Sequence, residues 1–289
     1  METPLIRNVS DTAFMVAAYR ARETARPDAL FHDPFAARLA GEQGPKILAA
    51  MPKHAFMGGW NVTIRTVIID RYLTNAIAAG ADTVLNLGAG LDARPFRMAL
   101  PPALRWIEVD YPHMLDYKAA QLAGEKPQCR LEHVKLDLAD RDARRALFDQ
   151  VARTSQRVLV LTEGVIPYLT PDEVAALADD LRAQPAFRQW IADYFSPETQ
   201  KYRQRRNIQK HMANAPFRFV PADYFGFFAE HGWKARDITY VGDEAGRLKR
   251  FPPLPLHLKL FIRFAMLFTP KARKGEFGRF AGYVLFEPA

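Results

Sequence analysis

The segment TVLNLGAG, residues 83–90, decides the fold because a short apolar run leads there directly into two glycines. Such a run is typical of a buried strand in a parallel sheet. Glycine permits unusual backbone angles at the turn, and its missing Cβ lets a ligand lie against the main chain. Gly88 and Gly90 also fit the dinucleotide pattern G-x-G-x-x-G/A, with Ala93 in the last position. The glycine pair is a weak signal alone, since a purely structural tight turn fits it as well.

The segments that follow alternate between strand and helix patterns, as in the βαβ units of a parallel sheet. Further strands are predicted at 105–112, 129–138, 157–165, 187–195, 234–242 and 282–288. Helices are predicted between them at 113–124, 141–153, 171–183 and 221–232. Before residue 80 the pattern is mostly helical, and the last predicted helix there covers 65–79, where Gly80 ends it.

These patterns predict an α/β fold with a seven-stranded, mostly parallel, Rossmann-like sheet, an N-terminal helical cap and a late lid insertion. The helical cap is assigned to residues 1–79. The core is assigned to residues 80–289, with insertions at 198–219 and 245–278.

The composition of the 289 residues, 49% hydrophobic and 25% charged, excludes a disordered chain, a collagen and a disulfide-stapled mini-fold. Cys129 is the only cysteine, so no intrachain disulfide can form. One cysteine and seven scattered histidines give no zinc-type spacing, and we expect no metal site. No apolar run approaches the roughly 20 residues that span a bilayer, and the N-terminus lacks the apolar stretch of a secretory signal. We therefore expect a cytoplasmic protein without a transmembrane segment.

The net charge of +8 is concentrated late in the chain. Segments 201–218 and 247–274 carry six and eight basic residues and no acid, while the rest of the chain is net acidic. Two solvated basic faces explain this pattern, and so does an anionic substrate, an acidic partner or an anionic membrane surface. Within the second segment, 254–268 combines Lys259 and Arg263 with aromatic and aliphatic residues, which favours a lid or core helix.

Acidic residues stand at the ends of the next three strands. Asp110 lies twenty residues after Gly90, where an acid can accept hydrogen bonds from both ribose hydroxyls of an adenosine. Asp137 and Leu138 close the third strand, where a carboxylate and a backbone N–H could bind an adenine ring, although a helix cap fits as well. Glu163 follows the fourth strand, at the sheet edge where open α/β sheets bind ligands.

The order of these motifs resembles the leucine carboxyl methyltransferase family, which includes polyketide O-methyltransferases and belongs to the class I S-adenosylmethionine enzymes. The resemblance covers residues 11 to about 183. It rests on DTAFMVAAYRARE, FHDPFA, RTVIIDRYL, VLNLGAGLDARPFR, WIEVDYP, VKLDL and LTEGVIPYL. It implies a methyltransferase sheet with S-adenosylmethionine as the cofactor.

The resemblance implies roles for the residues around the amino-acid part of that cofactor. Arg65 would pair with its carboxylate, Gly88 and Gly90 would lie against its methionine portion, and Glu163 would lie near the amino group or the sulfonium. Arg94 belongs to the signature and is expected to pair with an acid at the sheet edge.

Other positions are implied for the nucleoside. Asp110 would hold the ribose hydroxyls, and Asp137 and Leu138 would bracket the adenine. Arg20 or Arg22 matches a basic residue that also approaches the cofactor. Asn86 stands where the wider superfamily often has an acid, so the contact of that acid is not carried over.

The implied activity is direct in-line methyl transfer to a carboxylate or hydroxyl of a small or carrier-bound, partly apolar and possibly anionic substrate. A carboxylate is ionised at neutral pH and needs no general base, whereas a hydroxyl needs a nearby base or acceptor. His113, Tyr168 and Tyr194 lie near predicted strand ends, but packing or capping explains each of them better. No catalytic residue is therefore assigned.

Two other function classes fit part of the sequence. An NAD(P)-dependent oxidoreductase fits the glycine pattern, but the pattern follows about eighty mostly helical residues and no tyrosine begins a Y-x-x-x-K pair. A nucleic-acid or membrane-surface binding protein without catalysis fits the basic segments, but no known nucleic-acid-binding motif accompanies them, and we expect no nucleic-acid partner. The identity of the acceptor and the oligomeric state stay open.

Overall fold

The structure, a computed structural model, describes residues 10–51, 56–196, 199, 216–252, 264 and 279–289. The strands in these ranges are β1 Thr83–Leu87, β2 Arg105–Asp110, β3 Arg130–Lys135, β4 Val158–Thr162, β5 Phe187–Phe195, β6 Trp233–Tyr240 and β7 Ala281–Pro288. The helices are α1 Asp11–Thr24, α2 Ala36–Ala40, α3 Gln43–Ala50, α4 Phe56–Ala78, α5 Arg94–Arg97, α6 Pro112–Gln121, α7 Arg141–Thr154, α8 Pro171–Arg182, α9 Tyr224–Glu230 and α10 Val241–Arg247.

These seven strands form one sheet in the order β3-β2-β1-β4-β5-β7-β6. The pairs from β3 to β5 are parallel, and β7 runs antiparallel to both of its neighbours. The prediction of a seven-stranded, mostly parallel sheet is confirmed. The strand order reverses between β1 and β4, and open α/β sheets bind ligands at the carboxyl ends of the strands beside such a reversal.

The central strands are mostly apolar because helices cover both faces of the sheet. Every residue of β1 and β4 is buried, as expected for parallel strands with two packed faces. On one face α4 contributes Ile64 and Ile68 to a core that includes Trp106. On the other face, Phe148 of α7 and Leu177 of α8 pack beneath the same sheet.

Helix α4 is longer than predicted, since it begins at Phe56 and not at residue 65. Gly58 and Gly59 weaken the helical pattern of that stretch. They lie against the ring of Tyr19 in α1, and a Cβ added to Gly59 would come within 2.7 Å of the ring atom Cδ1. Close packing between two helices therefore overrides the low helix propensity of the glycine pair.

The boundaries at two other places test the sequence patterns. The helix predicted at 171–183 begins as expected at Pro171, and Thr170 caps it in a full capping box with Glu173. The predicted sixth strand, 234–242, ends earlier, at Tyr240, because α10 begins at Val241.

Much of the two predicted insertions lies outside the described residues. This holds for 201–215, for 253–263 and for 265–278, so the proposed lid helix and most of the basic segments stay predictions. The division at residue 79 also stays a prediction. In the part of the chain that the structure describes, no helix combines the length and apolarity needed to cross a bilayer.

A buried ion pair beneath the sheet edge gives a prediction on stability. Lys118 Nζ of α6 lies 2.7 Å from both carboxylate oxygens of Glu108 in β2, and both side chains are buried. Lys118→Met leaves the Glu108 charge buried, and His133 Nε2, 3.3 Å away, is then its remaining ion-pair partner among the described residues. We expect the free energy of unfolding to fall by about 3–5 kcal/mol in urea denaturation.

An exposed ion pair provides the matched control. It joins Lys46 of α3 to Glu42 at the N-cap of the same helix. Lys46→Met should leave the unfolding midpoint almost unchanged, because solvent screens an exposed pair. Equal losses in the two variants would contradict the stabilising role of the buried pair.

Candidate functional site

The turn after β1 contains two glycines, so its main chain is not covered by side chains at the centre of the sheet edge. Gly88 and Gly90 have φ angles of +68° and +50°. The N–H groups of Gly88 and Ala89 donate to the Val109 carbonyl at 2.8 and 3.1 Å, which ties the turn to β2. A Cβ on Gly88 would lie 2.5 Å from Val165 Cγ2. The β1 turn and the β4 turn are therefore in direct contact at a position where only glycine fits.

The carboxylate at the end of β2 is held by this turn. Asp110 Oδ2 accepts a hydrogen bond from the Gly90 N–H at 2.6 Å, and Oδ1 accepts one from the Tyr111 N–H at 2.7 Å. Burial raises the pKa of Asp110 above its usual value, although both N–H groups oppose the shift. The structure thus brings two of the predicted residues, Gly90 and Asp110, together.

Asp137, which follows β3, lies near Tyr111, the aromatic residue that follows β2. Asp137 is exposed and Leu138 half-buried. Asp137 Oδ1 accepts from the Ala139 N–H at 2.9 Å, whereas the cap of α7 is Asp140. Burial and the nearby Asp137 carboxylate raise the pKa of Tyr111. Tyr111 is 42% exposed and was not among the predicted site residues; an aromatic residue directly after a strand-end acid is the signal that could have indicated it.

Glu163, at the end of β4, lies between two arginines. Its Oε1 is 2.7 Å from Arg65 Nε of α4, and its Oε2 is 2.6 Å from Arg94 Nη1 of α5. Burial alone would raise the pKa of Glu163, but Arg94 and Arg65 outweigh it and hold that pKa below its usual value. The expected pairing of Arg94 with a sheet-edge acid is confirmed, and Glu163 is an anion at neutral pH.

Arg65 keeps an unused donor at this point. Its Nε lies close to Glu163, yet the Nε–H makes no hydrogen bond within the described part of the chain. The side chain is 14% exposed, so this donor is poorly hydrated as well. A buried, unsatisfied guanidinium N–H is costly and is suited to an incoming carboxylate.

Two further carboxylates, those of Asp70 and Asp92, hold the Arg94 guanidinium in place. Arg94 Nε lies 2.7 Å from Asp70 Oδ1, and its Nη1 lies 2.9 Å from Asp92 Oδ2. Arg97 donates two further hydrogen bonds of 2.8 Å to Asp70. Asn86 donates to Asp92 Oδ2 at 3.0 Å, so it supports the turn and does not replace a ligand-binding acid.

Of the two arginines left open in α1, Arg20 is the one near the turn. Its Nη2 donates to the Leu91 carbonyl at 2.6 Å, and its Nε donates to Asp33 at 2.8 Å. Arg22 is exposed. Arg20 therefore supports the main chain directly after Gly90.

Asp193, near the end of β5, is an acid that sequence reasoning missed. It is buried, with 3% of its surface exposed, and its Oδ2 accepts a hydrogen bond from the Gly164 N–H at 2.8 Å. Burial raises the pKa of Asp193 to about 7, although Arg65 and the Gly164 N–H favour the ionised form. A single acid near the carboxyl end of the strand FRQWIADYF is the signal that could have indicated it.

The three side chains considered as a base or acceptor for a hydroxyl substrate take part in ring packing. His113 stacks on Tyr111, Tyr168 packs edge-on against Phe217, and Tyr194 lies parallel to a neighbouring ring of α9. None of these contacts assigns a catalytic base. Among the described residues, no group of three or more histidine, cysteine, aspartate or glutamate side chains could hold a metal ion.

The chain is similar to known proteins in sequence. A family profile described as leucine carboxyl methyltransferase matches residues 13–182. An inferred S-adenosyl-L-methionine-dependent methyltransferase of Mycolicibacterium smegmatis is 30% identical over 292 residues, which covers 86% of this chain and 91% of the relative. Another from Rhodococcus jostii is 31% identical over 281 residues and covers 88% and 92%.

Solved structures share the fold. A duf574 family protein from Streptomyces avermitilis has a TM-score of 0.59 at 13% identity, and the match covers 96% of this chain and 97% of that one. An inferred methyltransferase from Thermobifida fusca has a TM-score of 0.54 at 16% identity, with coverages of 96% and 94%. The sheet order with an antiparallel seventh strand is that of class I methyltransferases.

The contact between the two turns gives a prediction on Gly88. Gly88→Ala adds a Cβ that meets Val165 Cγ2 and also places alanine at a positive φ, which costs about 1–2 kcal/mol before the clash. We expect a loss of unfolding free energy above that strain alone, measured by urea denaturation.

Gly80→Ala is the matched control, since Gly80 has a φ of +95° but nothing within 4 Å of an added Cβ. The double variant Gly88→Ala and Val165→Ala should recover the part of the loss due to the clash. A Gly88→Ala variant no less stable than Gly80→Ala would contradict the close contact of the two turns.

Proposed function

The chain belongs to the leucine carboxyl methyltransferase family, and from this premise we propose that it is an O-methyltransferase. The family membership makes it an S-adenosylmethionine-dependent methyltransferase, as the sequence predicts, in place of an oxidoreductase or a binding protein without catalysis. The proposed reaction is in-line methyl transfer to a carboxylate or hydroxyl of a small or carrier-bound, partly apolar acceptor.

The single observation that carries the proposed cofactor site is the pairing of Arg65 with Glu163 at the sheet edge. Arg65 Nε and Glu163 Oε1 lie 2.7 Å apart, and the buried Nε–H of Arg65 has no aligned hydrogen-bond acceptor among the described residues. An α-amino acid carries the same two charges in a zwitterion. Arg65 would hold the cofactor carboxylate, and Glu163, with its carboxylate kept ionised by Arg94, would hold the ammonium group.

The neighbouring strand ends fit the rest of the cofactor. Gly88 and Gly90 leave the backbone open for close approach of the methionine portion. Asp110 already accepts two backbone N–H groups, and the remaining lone pairs of its carboxylate can accept the two ribose hydroxyls. Asp137 and Leu138 would bracket the adenine beside Tyr111.

When bound, S-adenosylmethionine supplies a methyl group that its sulfonium has already activated. The residues of this chain therefore need to hold the cofactor and the acceptor, align them for transfer and exclude water. A carboxylate acceptor makes the smallest demand on the site because it is ionised at neutral pH. A hydroxyl acceptor needs in addition a group that takes its proton.

Cofactor binding is tested with the demethylated product. Isothermal titration calorimetry should show binding of S-adenosylhomocysteine to the purified protein. Asp110→Asn removes a charge-assisted acceptor for the ribose, and we expect the affinity to fall about tenfold to a hundredfold.

Glu244→Gln is the matched control. Glu244 of α10 is a buried carboxylate outside the proposed site, and it is paired with Arg71 of α4 and Arg247 of α10. It should bind S-adenosylhomocysteine like the wild type. Absence of binding by the wild type, or equal binding by Asp110→Asn, would contradict the proposed cofactor site. Tight binding of NADH would favour the oxidoreductase interpretation instead.

The stability of the methylated product to alkali tests whether the methyl group is transferred to a carboxylate or to a hydroxyl. Protein is incubated with methyl-labelled S-adenosylmethionine and a panel of carboxylic acids and phenols of partly apolar character. Label released as methanol by mild alkali indicates a methyl ester, whereas label that resists alkali in an isolated product indicates a methyl ether. Label found only on nitrogen or carbon would contradict O-methylation.

A further inference from the structure

Asp193 lies level with the turn that carries Glu163. In the sheet Ala192 is the partner of Thr162, the last residue of β4, and Asp193 is the partner of Tyr283 in β7. The Asp193 side chain is therefore next to the first two residues after β4. At 3% exposure it is one of the most buried acids among the described residues, and the proposed chemistry gives it no part.

The Glu163–Gly164 turn is held from two sides. Asp193 Oδ2 accepts the Gly164 N–H at 2.8 Å. Gly164 has a φ of +69°, and a Cβ added to it would lie 3.8 Å from Arg65 Nη1. The turn is thus hydrogen-bonded to Asp193 through Gly164 and ion-paired with Arg65 through Glu163, so a change at Asp193 reaches both charged groups of the proposed amino-acid site.

The groups that face Asp193 come from four elements. Arg65 faces it from α4, Glu163 from the β4 turn, and Tyr283 from β7. From α9, the Tyr224 hydroxyl donates to the Asp193 main-chain carbonyl at 2.6 Å. Arg65 is the only cation among these four.

The two carboxylates of this cluster differ in charge state. Glu163 is shared between two arginines and stays ionised. Burial raises the pKa of Asp193 to about 7, since Arg65 only partly offsets it. Asp193 is therefore the acid of the pair that exchanges a proton near neutral pH.

We propose that Asp193 is a positioning residue for the amino-acid end of the cofactor, which fixes the Glu163–Gly164 turn and takes up a proton as the cofactor carboxylate reaches Arg65. The proposal rests on the placement of that carboxylate under the proposed function. An arriving carboxylate adds a negative charge beside Arg65, so an ionised Asp193 competes with it. Protonation of Asp193 removes the competition and keeps the acceptor oxygen for the Gly164 N–H.

The sign of the pH dependence follows by linkage. The carboxylate beside Arg65 raises the pKa of Asp193 further, whereas the ammonium group beside Glu163 lowers it. Arg65 influences that pKa more strongly than Glu163 does, so the carboxylate dominates and the bound state holds more protons than the free state near neutrality. Affinity for S-adenosylhomocysteine is then highest below about pH 7 and falls as the pH rises through that value. The slope is at most about tenfold per pH unit for one proton.

The experiment is calorimetric titration of S-adenosylhomocysteine into the full-length protein in phosphate and in Tris, at several values from about pH 6 to pH 8. The two buffers differ in ionisation enthalpy, so the difference in observed heat gives the protons taken up. The wild type should take up about half a proton at pH 7 and lose roughly threefold to tenfold in affinity across the range.

Asp193→Asn keeps an acceptor for the Gly164 N–H and carries no charge. It should bind like the wild type at the lowest pH and lose the extra proton uptake and the pH slope. Asp193→Ala removes the acceptor, and its affinity should be lower at every pH. Glu244→Gln should keep the wild-type slope, and far-UV circular dichroism checks that each variant is folded.

The outcomes separate the two proposals. A wild type that does not bind S-adenosylhomocysteine overturns the proposed function and this inference together. A wild type that binds without proton uptake, or an Asp193→Asn variant with unchanged uptake, overturns the role of Asp193 alone. If Asp193→Asn does not fold, Asp193→Ser takes its place in the test of charge. It has no carboxyl group and should lose the extra proton uptake and the pH slope, although its shorter side chain does not reach the Gly164 N–H.

Discussion

The interaction on which the site depends is the Glu163 carboxylate held between Arg65 and Arg94. A carboxylate buried at a sheet edge is unstable unless cations and hydrogen bonds compensate for lost hydration. Here the two guanidinium groups come from helices on either side of β1 in sequence, α4 and α5. One ion-paired cluster therefore connects the N-terminal helices, the β1 turn and the β4 turn.

The sheet makes that cluster possible. β1 and β4 are neighbours although two other strands separate them in sequence, and the strand order reverses between them. Their apolar residues form the core, and the charged residues of the cluster lie at the carboxyl ends of the strands, where backbone N–H groups and arginines are available. The Gly88 contact with Val165 shows how closely the two turns approach.

The sequence predicted the sheet well because its central strands β1 and β4 are mostly apolar and helical patterns separate the strands that follow. Glu163 and Asp110 could be indicated because each stands at the end of a predicted strand. Asp137 and Leu138 were likewise indicated by their place at a strand end, whereas Arg65 came from the family resemblance alone. The roles of all these residues toward the cofactor stay proposals. The pairing of Arg94 with a sheet-edge acid was also expected and is seen.

The rest depends on tertiary contacts that have no local pattern. The start of α4 was missed because a glycine pair resembles a helix breaker until the Tyr19 ring is placed beside it. Asp193 was missed because burial in β5 and the Gly164 contact, not its sequence neighbours, set its charge state. Asp70 and Tyr111 likewise gain their roles only when distant strands and helices meet.

The most direct measurement is a crystal structure of the complex with S-adenosylhomocysteine. The account predicts the ligand carboxylate on Arg65, its ammonium group on Glu163, the ribose hydroxyls on Asp110 and the adenine beside Asp137. A ligand bound elsewhere, with its charged groups away from Arg65 and Glu163, would contradict the claim that successive strand ends of this sheet form one cofactor site.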